Sequence, residues 1–380
     1  MKLRLSDERT QWRISLASLS FGAALIYLWD LANGQRSEYY AAIAMAMSKS
    51  FSNLFFGTLD PGGSVTLDKI PGSYWIPAIF VRIFGFSTWA VNAPNAIATV
   101  GTVIVIAITA KNLYGKTAGL IAGAIFATTP IVAAVSRSNQ PQSYFLLTLA
   151  LSSWAAVKAL QSNSRKYLIL AGVWIAVAFH TYMLEAWALW PALIIAYLFT
   201  EQRMIKKFLD LLIAGTTSLI LSLTWIIIVT LIPASHRPYI GGTYHNNPFE
   251  MVFGYNGLGR FTSSSNSLSS TSDSPIFRSF TPPFGGEPGI GRLFNYNVGG
   301  QIAWLIPTTI VAIAIVVIFK QNRAITTFLA GWALIFFAMF SAVGGIHQFY
   351  VSSLAIPMAI VIASAIALAR QHKSQNSEIA

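Results

Sequence analysis

Three carboxylates and a lysine near the start of the chain have the chemistry of group transfer. The carboxylates are Glu38, Asp60 and Asp68, and Lys69 follows the last of them directly. A carboxylate can take the proton of an acceptor hydroxyl, and a lysine can hold the phosphate of a lipid-linked donor as it leaves. The same residues also fit a simpler interpretation, with an ordinary turn at Asp60 and a surface ion pair between Asp68 and Lys69.

The elements that must position these residues are membrane-spanning helices. Of the 380 residues, 54% are hydrophobic and only 10% are charged, whereas soluble domains carry about 25% charged residues. Several apolar runs approach or exceed the roughly 18 to 20 residues that a helix needs to cross a bilayer. The sequence therefore predicts an all-α polytopic membrane protein. The ten predicted spans are 12–32, 88–110, 117–135, 143–160, 167–184, 186–199, 209–232, 301–319, 324–343 and 349–369.

Lysine and arginine are distributed unevenly between the two sides of these spans. Most of the 25 basic residues fall on the side of the N-terminus, and the short loops opposite hold only Arg137. This pattern follows the positive-inside rule and predicts a cell-membrane protein with both termini in the cytoplasm. It also explains the net charge of +12 without a nucleic-acid partner. The absence of cysteine excludes disulfides and thiolate chemistry.

Two long loops lie on the predicted outer side. The first covers residues 33–87 and contains two apolar segments, 39–47 and 76–86, that we expect to form interfacial helices. The second covers residues 233–300 and includes a serine-rich stretch from Thr262 to Pro275, which we expect to be flexible. The predicted domain boundaries are a single transmembrane domain at 1–369 and a cytoplasmic tail at 370–380.

A few ionisable residues near the outer face have more than one interpretation. Arg137 could hold a phosphate or pair with Glu185. His180, Glu185 and His347 lie near the membrane interface, where water can solvate them, and no third ligand stands at the spacing of a metal site. The sequence therefore supports no cofactor, and it neither supports nor excludes a divalent cation.

Several motifs along the chain carry a family resemblance. They are Tyr39-Tyr40, Phe55 to Asp60, Leu67 to Pro71, Ser235 to Gly242, Phe253 to Arg260, Gly299 to Leu305, and His347 to Tyr350. The chain resembles the GT-C membrane glycosyltransferases, which include protein O-mannosyltransferases and the bacterial enzyme that adds aminoarabinose to lipid A. It is most similar to bacterial mannosyltransferases of the dolichyl-phosphate-mannose type, and the resemblance extends from residue 30 to residue 369.

The resemblance implies a GT-C-like fold and a membrane glycosyltransferase. The donor would be a hexose or pentose on a polyprenyl phosphate carrier in the bilayer, and the acceptor a cell-envelope component or a protein at the outer face. It also implies inversion at the anomeric carbon, with one carboxylate base and no nucleotide sugar. The residues assigned to substrate binding are Lys69, Tyr39, Tyr40, Arg137, Arg237, Tyr239, Tyr255, Asn256 and His347.

The candidate bases are ranked in the order Asp60, Asp68 and Glu38. The similar bacterial group relies on the aspartate after Phe-Gly, which corresponds to Asp60. Asp68 adjoins Lys69 and could orient that lysine instead. The wider superfamily places its catalytic acid at the start of the first loop helix, which corresponds to Arg36 here, and Glu38 is the nearest carboxylate to it.

The chain also departs from the family pattern. Gln142 stands where the family has an aspartate, Tyr182 where it has a lysine, and Ile70 where it has the first of two prolines. The chain stops at Ala380, where many relatives continue. These differences leave two alternatives open, a non-catalytic lipid-binding homologue and a transporter of lipid or solute. The transporter is disfavoured because the charges cluster outside the spans.

Overall fold

Helices make up the regular structure of the described chain. The computed structural model describes residues 8–262, 284–319 and 322–377, so nearly all of the predicted serine-rich stretch lies outside the described residues. The α-helices are α1 Glu8–Leu28, α2 Glu38–Met47, α3 Phe51–Phe56, α4 Gly72–Phe84, α5 Thr88–Thr128, α6 Pro130–Ser136, α7 Gln142–Ser162, α8 Arg165–Tyr182, α9 Leu189–Leu198, α10 Met204–Leu231, α11 Gly259–Thr262, α12 Leu305–Ile318, α13 Arg323–Ala342 and α14 Ala355–Ser377.

Eight helical segments in the described ranges are long and apolar enough to cross a membrane. They are Glu8–Asn33, Thr88–Thr128, Gln142–Ser162, Arg165–Leu198, Met204–Leu231, Gly299–Ile318, Arg323–Ala342 and Gln348–His372. The predicted all-α, multi-pass membrane fold is confirmed. The ten predicted spans fall on eight segments because two of the segments reverse direction.

The first reversal lies within α5. Gly115 has a φ of +86°, a backbone conformation that glycine adopts at little cost. A Cβ atom at Gly119 would lie 2.6 Å from the carbonyl oxygen of Ala107, so the two arms of the helix are in direct backbone contact. The chain therefore turns back at Gly115, between the two spans predicted there.

The second reversal joins α8 to α9 through the 3-10 turn Met183–Ala188. Arg165 and Tyr197 lie at opposite ends of this segment, yet both bind the buried carboxylate of Asp210. The Tyr197 hydroxyl donates to Oδ2 at 2.9 Å, and Arg165 forms an ion pair with Oδ1. Because its two ends meet, the segment is a hairpin with its turn at the predicted outer side.

Helix α14 forms the centre of the bundle and α1 its edge. Of the most apolar 18 residues in the segment that contains α14, 94% are buried, against 17% in the segment that contains α1. A helix that is apolar all round is stable where other helices surround it, and α14 packs against α5, α12 and α13. Helix α14 also continues past residue 369, where the predicted span ends.

Hydrogen bonds attach the first outer loop to the outer ends of the bundle. The predicted loop helices 39–47 and 76–86 correspond to α2 and α4. At the start of α2, the Ser37 amide donates to Asn139 Oδ1 at 2.8 Å and Asn139 Nδ2 donates to the Ser37 carbonyl at 2.9 Å. In the first turn of α4, Ser73 Oγ donates to the Thr181 carbonyl at 2.9 Å.

Candidate active site

The segment that carries Asp68 and Lys69 is held between the two outer loops. The Thr66 amide donates to the Tyr239 carbonyl at 2.8 Å, and the Tyr239 amide donates to the Ser64 carbonyl at 2.9 Å. On the other side, Gly57 has a φ of +72°, and a Cβ atom there would lie 2.6 Å from the Pro71 side chain. Backbone hydrogen bonds and close packing at Gly57 therefore hold the segment in place.

Asp68 and Lys69 form a largely buried ion pair. Lys69 Nζ lies 2.6 Å from Asp68 Oδ1, and the side chains are 12% and 21% exposed. Burial lowers the pKa of Lys69, but the adjacent carboxylate outweighs burial and holds that pKa above its ordinary value. Burial raises the pKa of Asp68, but Lys69 outweighs it in turn, and the pKa lies below its ordinary value. Both groups are therefore charged at neutral pH.

Arg260 brings a second cation to the same place from the other outer loop. The π-helix Glu250–Leu258 presents Asn256, whose Nδ2 donates to the Asp68 carbonyl at 2.6 Å. Arg260 Nη2 donates to Asn256 Oδ1 at 2.8 Å, and Nη1 donates to the Gly345 carbonyl at 3.3 Å. The arginine is only 6% exposed, and no acidic side chain forms an ion pair with it in the described chain. Together with the neutral Asp68–Lys69 pair, Arg260 makes this region positive.

Lys69 and Arg260 both line a largely apolar cavity of about 450 Å³. Its apolar wall includes Phe253, Leu258 and Met339, and its polar residues include Asn256. A cavity with an apolar wall and a few convergent polar groups is typical of a ligand site. An amphiphile with an anionic head group matches both features of this cavity.

Two tyrosines and a glutamine adjoin the cavity. Tyr182 and Tyr350 line it and meet edge to face, with ring centroids 5.3 Å apart. Gln142 Nε2 donates to the Tyr182 hydroxyl at 2.5 Å, and Gln142 is fully buried. Gln142 and Tyr182 are the positions at which the family resemblance implies an aspartate and a lysine, and the fold places them in direct contact.

Several residues predicted to bind substrate lie around the Asp68–Lys69 pair. Tyr255 forms a hydrogen bond with the Asp68 carboxylate, and Asn256 donates to the carbonyl of the same residue. Tyr40 stacks on Tyr74, with ring centroids 5.3 Å apart, and interacts electrostatically with Lys69.

Tyr39 and His347 extend the same region. Tyr39 packs edge to face on Tyr40, with ring centroids 5.2 Å apart. His347 stacks between Phe284 and Phe349, with each pair of ring centroids 4.8 Å apart. Burial, followed by the charges of Arg260 and Lys69, lowers the pKa of His347 to about 4, so the imidazole is neutral at physiological pH.

Asp60 and Glu38 lie on the surface, outside the set of residues that line the cavity. Asp60 Oδ2 accepts hydrogen bonds from the Ser64 amide at 2.9 Å, from Ser64 Oγ at 2.7 Å and from the Val65 amide at 3.3 Å. The hydrogen bond from Ser64 Oγ holds the pKa of Asp60 below its usual value. The side chain of Glu38 is 75% exposed and pairs with Arg36 at 3.0 Å. The turn interpretation therefore describes the local structure at Asp60, and the role of either residue as a base stays a prediction.

Three further predicted binding residues form hydrogen bonds with groups outside the cavity. Arg137 Nη1 donates to the Ile26 carbonyl at 2.7 Å, near the end of α1. Arg237 Nη1 and Nη2 donate to Asn246 Oδ1 at 2.6 Å and to the Asn246 carbonyl at 2.8 Å. The Tyr239 hydroxyl donates to the Thr243 carbonyl at 2.9 Å. None of these three residues is among those that line the cavity in the described chain.

Arg260 and Glu185 are cavity residues that the sequence analysis did not assign to the site. Arg260 ends the motif that begins at Phe253 and stands one helical turn after Asn256. This spacing in the sequence could have indicated that the two side chains lie on one face. The sequence places Glu185 near the membrane interface, and one interpretation there is an ion pair with Arg137. Instead, Ser353 Oγ donates to Glu185 Oε1 at 2.9 Å. In the described residues, no group of three histidine, aspartate or glutamate side chains could hold a metal ion.

Comparisons with known proteins support the resemblance. Residues 68–228 match the family described as dolichyl-phosphate-mannose-protein mannosyltransferase. YycA and YkcB of Bacillus subtilis (strain 168), whose names assign them provisionally as mannosyltransferases, are each 31% identical to the chain over 91% and 95% of its length. The chain spans 61% and 62% of the lengths of these two relatives.

The fold is also shared with a solved membrane protein. The crystal structure of ArnT from Cupriavidus metallidurans bound to undecaprenyl phosphate superposes with a TM-score of 0.68 at 16% sequence identity. The match covers 94% of this chain and 60% of ArnT. In sequence the chain is similar to these mannosyltransferase relatives, and it shares the fold of ArnT, a GT-C membrane glycosyltransferase.

Proposed function

We propose that the protein transfers a sugar from a polyprenyl phosphate carrier to an acceptor hydroxyl at the outer face of the membrane. The observation that carries the proposal is the convergence of two cations, the largely buried Lys69 and the buried Arg260, on one largely apolar cavity. The match to a dolichyl-phosphate-mannose-dependent family and the undecaprenyl phosphate bound by ArnT support the same donor chemistry.

The donor phosphate pairs with the cations while its lipid chain lies along apolar wall and bilayer. When the bond between the anomeric carbon and the phosphate oxygen breaks, negative charge grows on the leaving phosphate. Cations fixed in a site that excludes water stabilise such charge strongly, because they need no reorganisation at the moment of reaction. Lys69 and Arg260 take this role, and Asp68 keeps Lys69 charged and oriented.

Loss of the Lys69 charge tests the phosphate site. In purified protein, Lys69→Ala should weaken binding of undecaprenyl phosphate by about tenfold to a hundredfold, because hydrogen bonds to charged groups contribute roughly 1.5–3 kcal/mol. The matched control is Lys158→Ala, on the predicted cytoplasmic side of α7, which should bind as the wild type does. Because Lys69→Ala leaves Asp68 buried without its partner, the double variant Asp68→Asn/Lys69→Ala separates loss of the cation from new repulsion. Equal affinity in the Lys69 and Lys158 variants would remove the phosphate site from the proposal.

Turnover is measured with undecaprenyl-phosphate mannose, a probe that follows the names of the relatives. Wild-type protein should release undecaprenyl phosphate in the presence of an alcohol or envelope acceptor, and Arg260→Gln should release it more slowly than Arg260→Lys, which keeps the charge. Movement of the lipid across liposomes without release of its sugar would support the transporter alternative instead.

A further inference from the structure

Glu185 is the acidic residue that lines the cavity shared by Lys69 and Arg260, and no other acidic side chain of the described chain does so. It stands in the turn Met183–Ala188, at the outer tip of the α8–α9 hairpin. The turn enters through Met183, whose φ of +52° and ψ of −133° are unfavourable for a side chain with a Cβ atom. Backbone strain of this kind persists where the surrounding fold imposes it, and such residues cluster at functional sites.

The Glu185 carboxylate has bonding capacity left for a ligand. Ser353 Oγ donates to Oε1 at 2.9 Å, and no lysine, arginine or histidine of the described chain forms an ion pair with it. A carboxylate can accept about four hydrogen bonds. One bond therefore orients the side chain, and the residue lines a cavity that also holds the proposed phosphate site.

The other acidic candidates are occupied. Asp68 is bound by Lys69 and Tyr255, and Asp60 already accepts three hydrogen bonds within its turn. Glu38 points to the surface, where it pairs with Arg36. A base must reach the proton that it removes, and of these carboxylates Glu185 has that access to the cavity.

We propose that Glu185 is the general base that activates the acceptor, an inference that rests on the proposed function. The acceptor hydroxyl gives its proton to Glu185 while its oxygen bonds to the anomeric carbon of the sugar. The bond from that carbon to the phosphate oxygen breaks, and its electron pair leaves with the polyprenyl phosphate, next to Lys69 and Arg260. Ser353 is a positioning residue that holds the carboxylate toward the acceptor.

Azide distinguishes a base from a structural residue, because it is a nucleophile that carries no proton to remove. The probe is undecaprenyl-phosphate mannose, and the readouts are released undecaprenyl phosphate and mannosyl azide. With an alcohol acceptor, Glu185→Gln should lower turnover by at least about 100-fold, the lower bound for general base catalysis. With azide, the same variant should react within about threefold of the wild type, since the base is not needed. The amide oxygen of glutamine can still accept the hydrogen bond from Ser353.

Controls separate the base from folding and from donor binding. Asp30→Asn changes another carboxylate at the outer side, exposed at the end of α1, and should match the wild type with both acceptors. Lys69→Ala should be slow with alcohol and with azide alike, because the leaving phosphate is affected in both reactions. Ser353→Ala should lower alcohol turnover less than Glu185→Gln does, and should leave the azide reaction unchanged.

Each outcome separates the inference from the function on which it rests. If the wild type transfers mannose and Glu185→Gln transfers it to alcohol at a similar rate, the base assignment is wrong while the transferase stands. The assignment also fails if Asp60→Asn or Asp68→Asn shows the azide-rescued loss in place of Glu185→Gln. If the wild type releases no carrier with either acceptor while undecaprenyl phosphate still binds, both the transferase and the base assignment are overturned.

Discussion

Gln142 and Tyr182 are two departures from the family pattern that form a single contact in the fold. Each differs from the charged residue that the resemblance implies, and each is buried. The fold brings them to a hydrogen bond of 2.5 Å. An uncompensated buried charge would be costly, whereas a neutral pair that satisfies one hydrogen bond can take the place of an ion pair at little net cost. The two differences therefore replace one buried charged pair by one neutral contact beside the cavity.

His347 supplies a prediction about acid stability. Because its pKa is lowered from 6.5 to about 4 in the folded protein, the unfolded chain takes up a proton below pH 6.5 that the folded protein does not. Stability from this residue is therefore fully present above pH 6.5 and declines as the pH falls toward 4. His347→Phe keeps the stack with Phe284 and Phe349 and removes the titration.

The measurement is the apparent melting temperature in detergent between pH 7 and pH 4.5. We expect His347→Phe to lose less of its melting temperature over this range than the wild type loses. His236→Phe, at an exposed position of the second loop, is the matched control and should follow the wild type. Parallel decreases in the wild type and in His347→Phe would contradict the assigned burial of a neutral imidazole.

At the scale of elements, the active region is assembled from loops that rest on a rigid helical frame. The Thr66–Tyr239 contact joins the two outer loops, and Arg260 exchanges hydrogen bonds with Gly345 on the connection between α13 and α14. The site thus depends on three connections between spans, which are the first outer loop, the second outer loop and the α13–α14 connection. A displacement in any of them changes the distance between the cations.

Gly57→Ala tests how closely these segments must approach. Gly57 has a φ of +72°, and a Cβ atom there would meet the side chains of Leu67 and Pro71. Gly85 has a φ of +81°, and a Cβ atom there would meet no other atom within 4 Å. Alanine is strained at both positions, since the left-handed backbone of Gly57 costs it roughly 1–2 kcal/mol and Gly85, with a ψ of 166°, lies in a region that is almost exclusive to glycine. Only Gly57→Ala adds a steric clash. We expect Gly57→Ala to weaken binding of undecaprenyl phosphate, through displacement of Lys69, and Gly85→Ala to leave it unchanged. Equal binding in the two variants would show that the close approach is unimportant for the site.

The whole molecule is a multi-pass membrane protein, and the distribution of its basic residues predicts its orientation. Reversal at Gly115 and at Met183–Ala188 places the predicted outer loops together at one end of the bundle. The cluster of Arg165, Lys206 and Asp210 lies at the opposite end. The basic residues at that end are the ones that predict its cytoplasmic location.

Cysteine labelling in intact cells tests the orientation, since the chain has no cysteine of its own. An impermeant maleimide should label Tyr296→Cys, at a position that is fully exposed in the second outer loop. It should label Ser162→Cys, in the exposed turn between α7 and α8, only after the cells are opened. The reverse pattern would invert the topology and move the proposed site to the cytoplasm.

The membrane class, the approximate positions of the spans and the two long loops could all be predicted from the sequence. These properties depend on hydrophobicity and charge over runs of about 20 neighbouring residues, because the bilayer acts on each segment locally. The Asp68–Lys69 pair was also accessible, since its members adjoin in the chain. The family motifs added a second source of information, and they directed attention to the loops that carry the candidate site.

The convergence of polar side chains on one cavity depends on the tertiary fold. Asn256 bonds to the Asp68 carbonyl across 188 positions, and Ser353 bonds to Glu185 across 168. No local pattern encodes such contacts, because they depend on how distant helices pack and where their connections turn. The sequence motifs rank Asp60 ahead of Asp68 as a base, yet the fold holds Asp60 in a surface turn and Asp68 beside a largely buried lysine. Glu185 is one carboxylate among 13 acidic residues in the sequence, and it becomes a candidate base only because the hairpin turn places it in the cavity.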